Sequence, residues 1–273
     1  MLGFLYHSAL GRLILKLLTR PFISKAAGAF MDSRISVPFI RPFIKKNNID
    51  LSDYEIEKWR SFNEFFTRKV KSGARVFVSD PNALPSPCDG LLSVYSISEE
   101  LRFSVKNSVY SVSSLLENSE IAKDYLGGSC LVFRLTPTHY HRYAYPDSGL
   151  KGENIHINGI LHTVQPIAVE SVPVYTRNSR EYTVLKTDNF GNIVFVEVGA
   201  MMVGRIVNLH SSHTFSRGEE KGRFEFGGST IIMLIKPDTV QILPEIKAAS
   251  ANGIEFPIKA GEVIGTRCPK ASR

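Results

Sequence analysis

Short runs of alternating apolar and polar residues, separated by turn residues, follow one another from Arg75 to the C-terminus. They include LLSVYSI, SCLVFRL, GILHTV, EYTVLKTDNFGNIVFVEVGAMMVGRIV, RFEFGGSTIIMLI and TVQIL. A period of two residues is typical of strands with one buried face, and frequent turns between short strands favour antiparallel pairing. The pattern predicts a predominantly antiparallel β core, with a hairpin turn at residues 188–191 and one helix around residues 115–125.

The first 46 residues follow a different pattern, in which basic residues interrupt apolar residues at helical spacing. Five apolar residues share one face of a predicted helix: Leu10, Leu13, Ile14, Leu17 and Leu18. Arg12 and Lys16 lie on the other face, and Lys16 leaves this segment without an apolar run long enough to span a bilayer. Such an amphipathic helix either lies in a membrane interface or packs on its own domain.

The charge of the chain favours an anionic partner. Its formal net charge is +7 at pH 7, and the first 46 residues contain eight Lys and Arg residues but a single acid, Asp32. Aliphatic and Phe side chains separate these cations and no nucleic-acid-binding motif is present, so we expect an anionic membrane surface and no nucleic acid. Because no signal-peptide cleavage site is apparent, the expected location is peripheral, on the cytoplasmic side of the cell membrane.

Two segments suggest how the chain is divided. Ser52 with Glu55, and Ser61 with Glu64, have capping-box spacing, which predicts helix up to about Gly73. We therefore expect an α+β protein, with N-terminal amphipathic helices in a membrane-associating region at residues 1–72 and a β-rich domain at residues 73–273.

The C-terminal segment GIEFPIKAGEVIGTRC has the short strands and glycines of a barrel-sandwich module. A biotin or lipoyl carrier is disfavoured, because no Met-Lys-Met or Asp-Lys-Ala tripeptide is present.

Gly227, Gly228, Ser229 and Thr230 interrupt a run of strand-forming residues between Arg223 and Ile235. Glycine within a strand lowers its stability and usually marks a bulge or a close approach of the backbone. A structural bulge is therefore the simplest interpretation. The adjacent hydroxyl of Ser229 also allows a second interpretation, in which it is a nucleophile placed beside an unhindered backbone.

Two further polar segments contain residues that can assist a nucleophile. Asp89 lies in PSPCDG, where it can form an Asx-turn. His139 and His141 lie in TPTHYHRYAYPDSG after a predicted strand, where structural histidines are the alternative. No thiols or acids with metal-ligand spacing accompany them, so we expect no metal. By residue type, Ser229, a histidine base and Asp89 form a nucleophile, base and orienting acid, and we predict that Asp89, His141 and Ser229 meet.

Several motifs in a fixed order resemble phosphatidylserine decarboxylase proenzymes. They are SFNEFFTRKVKSGAR, SPCDG, YHRY, VGAMMVGRI and RGEEKGRFEFGGSTI, and the resemblance extends from Ser61 to about Ile235. It implies that the Ser229 hydroxyl attacks the carbonyl group of Gly228 and that the chain is cut there. The products would be a β chain of residues 1–228 and an α chain of residues 229–273, which begins with a covalent pyruvoyl group derived from Ser229.

The resemblance also implies the reaction and the partners. The β-rich domain would be catalytic and would decarboxylate phosphatidylserine to phosphatidylethanolamine and CO2, with the pyruvoyl group as electron sink. Asp89 would orient a histidine base during self-cleavage, and His141 is the candidate acid in decarboxylation. The α and β chains would stay together, and the resemblance allows a homodimer. A related serine phospholipid is an alternative substrate.

One position departs from the family pattern. The family motif usually reads His-Arg-x-His, with the second histidine assigned to self-cleavage, whereas this chain has Ala144 at that place. Either His141 or His139 serves both reactions, or His210 or His213 reaches Ser229, or the chain matures slowly or not at all. In the last case the chain would be a basic peripheral membrane protein without catalysis.

Overall fold

The computed structural model describes residues 2–55, 58–105, 108–201, 205–226 and 229–269. Within these ranges the first helices are α1 Leu2–His7, α2 Ala9–Leu18, α3 Pro21–Asp32, a 3-10 helix at Arg34–Phe39, α4 Ile40–Asn47 and α5 Phe62–Phe66. The later helices are α6 Val112–Leu116, α7 Ser119–Lys123, α8 Pro166–Ser171, α9 Val174–Arg177 and α10 Pro244–Ala251. The helices are thus concentrated near the N-terminus.

Strands make up the rest of the regular structure. In chain order they are β1 Ala83–Pro85, β2 Gly90–Ser96, β3 Arg102–Val105, β4 Ser108–Ser111, β5 Ser129–Leu135, β6 Arg142–Ala144, β7 Gly149–Lys151, β8 Ile155–Ile157, β9 Arg180–Thr187, β10 Gly191–Val198, β11 Ile206–Asn208, β12 His213–Phe215, β13 Glu220–Phe224, β14 Ser229–Ile235, β15 Val240–Ile242, β16 Phe256–Ile258 and β17 Val263–Arg267. Together with the helices they form the α+β fold that the sequence predicted.

The largest sheet of the described ranges joins nine strands in the order β12-β7-β9-β10-β14-β5-β2-β16, with β8 paired to β9. All of its pairs are antiparallel, and the predicted hairpin at residues 188–191 joins β9 to β10. Every residue of β14 is buried. A strand with apolar side chains on both faces can be buried on both faces by other parts of the protein. Residues 231–235 are all apolar, and this is why they lie at the centre of the sheet.

Smaller sheets complete the core. Strand β13 lies between β11 and β6, and β17 lies between β1 and β15. The C-terminal strands are therefore divided, because β16 extends the large sheet while β15 and β17 belong to a smaller one. A second apolar cluster is centred on Phe62, Phe65 and Phe66 of α5 and packs against Phe226. Through α5, the helical region contacts the segment that leads into β14.

Helix α2 exposes the face that the sequence predicted to be apolar. Leu10, Leu13 and Leu17 are 61%, 64% and 56% exposed, whereas Leu15 is buried. The helix begins at Ser8, whose hydroxyl accepts a hydrogen bond from the Gly11 N–H. Within the described residues, no helix combines the length and apolar character needed to cross a bilayer.

Three local predictions differ from the structure. Ser61 caps α5 as expected, but Ser52 lies in a turn, where its N–H and hydroxyl bond to Asp50. The helix expected at residues 115–125 is divided into α6 and α7, because Glu117 adopts a left-handed conformation with φ 48°. The segment GILHTV is not a strand, since within the described ranges its β pairing is limited to an isolated bridge at Ile160. At Ser52 local hydrogen bonds outweigh the capping-box pattern, whereas residues 160–162 bond to distant segments of the chain.

Candidate active site

Three of the predicted residues lie at one end of the large sheet. Ser229 is the first residue of β14 and pairs with Leu135, the last residue of β5. On the other side of β5 lies β2, which Asp89 directly precedes. Neighbouring strands are about 4.8 Å apart, so roughly 10 Å separates the backbones of Asp89 and Ser229. His139 belongs to the loop that leaves β5 between them.

The Ser229 side chain is fully buried, and within the described residues its hydroxyl has no hydrogen-bond partner. A buried hydroxyl without a partner costs about 1–3 kcal/mol relative to a satisfied one. Ser229 and Thr230 pair regularly with β5, so the part of the predicted interruption that the structure describes is ordinary strand. Gly227 and Gly228, and with them the predicted cleavage bond, lie outside the described residues.

His141 is fully buried, and among the described residues its Nε2 has no hydrogen-bond partner. Its Nδ1 lies 2.9 Å from the carbonyl oxygen of His139. Because a carbonyl can only accept, Nδ1 carries the proton, and in the neutral ring Nε2 holds a free lone pair. The Phe66 ring packs on the imidazole at 4.0 Å between centroids. Burial lowers the pKa of His141 to about 3, so the ring is a neutral proton acceptor at pH 7.

His139 has the opposite tautomer. Its Nδ1 accepts the Thr136 N–H at 3.0 Å, so a neutral ring carries its proton on Nε2. Burial lowers the pKa of His139, and the negative charge of Asp89 partly opposes this effect. His139 is thus the histidine on which Asp89 acts electrostatically, while its carbonyl oxygen orients His141.

Asp89 is buried and bonded to groups that sequence reasoning missed. Arg75 binds both carboxylate oxygens, at 2.8 and 2.6 Å, and the Ala260 N–H donates to Oδ1 at 2.8 Å. The hydrogen bond to Asp89 is the largest contribution to the raised pKa of Arg75. Within the described residues these contacts, rather than one to His141, account for the hydrogen bonds of the carboxylate. The only sequence signal for Arg75 was its place at the end of SFNEFFTRKVKSGAR.

Ala144 lies close to the Asp89 segment. Its N–H donates to the carbonyl oxygen of Pro87 at 2.8 Å. Its side chain lines a cavity of about 130 Å³ that Arg75 and Tyr140 also border. A histidine at this position would therefore extend into a space beside the residue that binds Asp89.

The other two candidate histidines lie elsewhere in the sheet. His213 belongs to β12, and the strands β7, β9 and β10 separate β12 from β14. His210 stacks on His213 at 3.8 Å between ring centroids. Both side chains contact Glu219. Their position therefore does not support the idea that His210 or His213 reaches Ser229.

A buried ion pair shares a face of the sheet with Ser229. Lys221 of β13 donates to Glu197 of β10, and both side chains are fully buried. Glu197 pairs with Ile231, whose side chain points to the same side of β14 as that of Ser229. Lys221 also donates to Asn208 at 2.6 Å. Sequence reasoning missed this pair, because its members are 24 residues apart and belong to different sheets.

Known proteins match nearly the whole chain. A family model for phosphatidylserine decarboxylase matches residues 62–266. Phosphatidylserine decarboxylase proenzyme 2 of Clostridium acetobutylicum is 47% identical over 267 residues, which cover 97% of this chain and 91% of that protein. The phosphatidylserine decarboxylase proenzyme of Ruminiclostridium cellulolyticum is 42% identical over 279 residues, covering 100% of this chain and 93% of that protein.

These matches place the chain among the carboxy-lyases, the enzymes that release CO2 from a carboxylate. More narrowly, the chain belongs to the phosphatidylserine decarboxylase family. The resemblance drawn from the sequence motifs is thereby confirmed, and so is the assignment as an enzyme.

Proposed function

We propose that this chain is a precursor that cuts itself between Gly228 and Ser229 and then decarboxylates phosphatidylserine to phosphatidylethanolamine and CO2. The observation that carries the proposal is the buried hydroxyl of Ser229 at the start of β14, which has no hydrogen-bond partner among the residues that the structure describes and follows two glycines in the sequence. In a member of this family, such a hydroxyl fits a nucleophile better than a packing residue, because burial without a partner lowers stability.

In self-cleavage, Ser229 Oγ loses its proton, forms an ester with the Gly228 carbonyl carbon and releases the amide nitrogen. Elimination then frees the Gly228 carboxylate, and hydrolysis releases the Ser229 nitrogen as ammonia and leaves the pyruvoyl group at the new N-terminus. His141 is the proton acceptor that we propose, because its Nε2 lone pair is free and its Nδ1 proton is fixed by the His139 carbonyl. His139 and Asp89 are positioning residues in this scheme.

In decarboxylation, the pyruvoyl group would supply a carbonyl able to withdraw the electron pair left when CO2 departs. The fit of this group rests on Ser229, which is buried at the start of β14, and on Phe66, which packs both on the His141 ring and on Phe226, three residues before Ser229. His141 Nε2 would first take a proton from the ammonium group of the substrate and then deliver it to the carbon that lost CO2, and burial would favour this transfer because it disfavours the charged ring. Burial of this sheet end also limits competing reactions with water.

The N-terminal helices would hold the enzyme on an anionic membrane, peripherally and on the cytoplasmic side. Leu10, Leu13 and Leu17 present an exposed apolar surface on α2, and eight cations accompany a single acid in the first 46 residues. Attraction of about 1 kcal/mol per cation near an anionic leaflet is screened by salt, whereas apolar insertion is not. Binding to vesicles should therefore weaken with salt but persist.

Intact-mass measurement of the purified protein tests the proposal. We expect two chains, with the second beginning at residue 229 and carrying a pyruvoyl group in place of serine. Ser229→Ala should remain one chain and form no phosphatidylethanolamine from phosphatidylserine vesicles. Ser93→Ala is the matched control, because Ser93 is another buried serine of the large sheet. An active preparation that stays a single chain would contradict the proposal, and an uncut, inactive chain that sediments with vesicles would favour a membrane protein without catalysis.

A further inference from the structure

A second group of ionisable side chains lies away from Ser229, around β12. We call His210, His213 and Glu219 the His–His–Glu cluster. His213 Nε2 is 2.6 Å from Glu219 Oε1, and His210 Nε2 is 3.8 Å from the same oxygen. Two imidazole nitrogens and one carboxylate oxygen therefore converge, all within 4.8 Å of one another. The proposed decarboxylase reaction uses none of these groups.

Neighbouring groups orient the carboxylate and one imidazole of the cluster. Glu219 Oε2 accepts the Ser216 N–H at 3.0 Å, which leaves Oε1 directed at the two histidines. The Tyr145 hydroxyl lies 3.3 Å from His210 Nδ1. When the hydroxyl accepts from Nδ1–H, His210 Nε2 has a free lone pair towards Glu219. An oriented imidazole with a second partner on its other nitrogen is typical of metal-binding histidines.

The backbone that carries His210 is also held in place. Lys151 is buried, and its Nζ donates to the carbonyl oxygens of His210 and Ser211 at 3.1 and 2.5 Å. Asn154 Nδ2 donates to the same His210 carbonyl oxygen at 3.0 Å. The loop before β12 is therefore fixed by a buried cation and an amide rather than by chance packing of an exposed segment.

We propose that the His–His–Glu cluster binds a divalent transition-metal ion of the Zn²⁺ type through His210 Nε2, His213 Nε2 and Glu219 Oε1. Imidazole nitrogen and carboxylate oxygen are the donors that Zn²⁺ prefers, at about 2.0–2.2 Å. Three protein ligands leave a fourth position for water. Both histidines are partly exposed, at 28% and 30% of their side chains, which leaves space for that water and for the ion to enter.

Binding requires two small changes in the cluster. The imidazole rings are stacked with 9° between their planes, and an ion in the plane of both rings requires them to tilt apart. The ion also replaces the hydrogen bond between His213 Nε2 and Glu219 Oε1, so the neutral His213 ring must carry its proton on Nδ1 when the ion is bound.

A bound ion would connect the loop before β12 to the turn after it. His210 precedes the strand, and Glu219 lies in the turn that leads into β13. Because the folded state alone brings the three ligands together, an ion that binds there stabilises the fold by mass action. The site is therefore expected to raise the unfolding temperature in proportion to the logarithm of the metal concentration.

Calorimetric titration of the full chain with Zn²⁺, after treatment with a chelator, tests the site. We expect one equivalent to bind, and Co²⁺ to give the visible absorption of a tetrahedral ion at the same site. His213→Ala and Glu219→Gln each remove a ligand and should weaken binding by more than about 100-fold. Tyr145→Phe keeps the ring but removes its hydroxyl, and should weaken binding by roughly 10-fold.

His156→Ala is the matched control. His156 Nδ1 lies 3.4 Å from Glu181 Oε1, which makes a similar histidine–carboxylate pair outside the proposed ligand set. Its removal should leave Zn²⁺ binding unchanged. The proposal is overturned if the parent chain does not bind Zn²⁺, if the His213 and Glu219 variants bind as tightly as the parent, or if His156→Ala loses binding. Unfolding temperatures without metal show whether each variant is folded.

Discussion

The Ser229 end of the sheet and the N-terminal helices depart from ordinary burial in opposite directions. At the sheet end, polar atoms of Ser229 and His141 are buried without partners among the described residues. On α2, the apolar side chains of Leu13 and Leu17 are exposed. Buried polar groups and clustered exposed apolar groups are the two informative exceptions to burial rules, because each lowers the stability of an isolated soluble chain.

The two exceptions imply different missing partners. A buried polar atom gains its partner when a substrate or a reacting bond occupies the site. An exposed apolar face gains its partner when a second apolar phase, such as a lipid surface, covers it. Changes at the sheet end should therefore alter chemistry in any medium, whereas changes on α2 should matter only where a membrane is present.

The largest effect should come from Asp89→Asn. Asn keeps an oxygen for the Ala260 N–H but removes the charge that binds Arg75 and acts on His139. We expect self-cleavage to slow by at least about 100-fold, as measured by the appearance of the α chain with time. Asp53→Asn is the matched control, because Asp53 also pairs with Arg75 but is far more exposed. If the Asp89 variant is cleaved as fast as the parent chain, Asp89 has only a structural role in its turn.

A smaller effect should follow from pH. The pKa of His141 falls from about 6.5 when unfolded to about 3 when folded, so protonation favours the unfolded chain. This contribution to stability is complete above pH 6.5 and is lost as the pH falls towards 3. Between pH 7 and 5, the free energy of unfolding should decrease by about 2 kcal/mol on account of His141 alone.

Urea unfolding of the uncut Ser229→Ala chain measures this loss. The same chain carrying His141→Gln should lose less stability over the same pH interval. Burial also lowers the pKa of His162, to about 4, so His162 contributes to the loss in both chains. Subtracting the loss of one chain from that of the other removes this shared contribution. Parallel losses in both chains would show that His141 is not held neutral, and the proposed proton acceptor would then be wrong.

The sequence predicted the parts of this comparison that depend on local pattern. Alternation predicted β5, β9, β10 and the centre of β14, and helical spacing predicted α2. It could not predict whether the apolar face of α2 packs inward, because that depends on which surfaces the rest of the chain leaves uncovered. The sequence also could not predict the role of Arg75, since its hydrogen bond to Asp89 joins two segments that are separate in the sequence. The tautomers of His139 and His141 depend on single backbone atoms that periodicity does not reveal.

The exposed apolar face of α2 predicts an effect confined to membranes. The double variant Leu13→Gln with Leu17→Gln should bind phosphatidylserine vesicles at least about tenfold more weakly, since each leucine inserted into lipid contributes up to about 2 kcal/mol. Its unfolding in solution should be unchanged, because both side chains are already exposed. Leu150→Gln, at an exposed leucine of β7, should sediment with vesicles like the parent. If Leu150→Gln loses as much vesicle binding as the double variant, the membrane contact lies on the sheet and not on α2.

The smallest effect should come from Ala144→His, although this change restores the family motif. Overpacking a dense core usually costs about 1–3 kcal/mol, but Ala144 borders a cavity of about 130 Å³, so an imidazole can be accommodated with little loss of stability. If His141 accepts the Ser229 proton, a second histidine beside Arg75 should change the rate of self-cleavage by less than about twofold. Ala144→Leu fills the same space without a base and serves as control. A tenfold faster reaction in Ala144→His, but not in Ala144→Leu, would show that the proton is best removed from position 144 and that His141 acts only in decarboxylation.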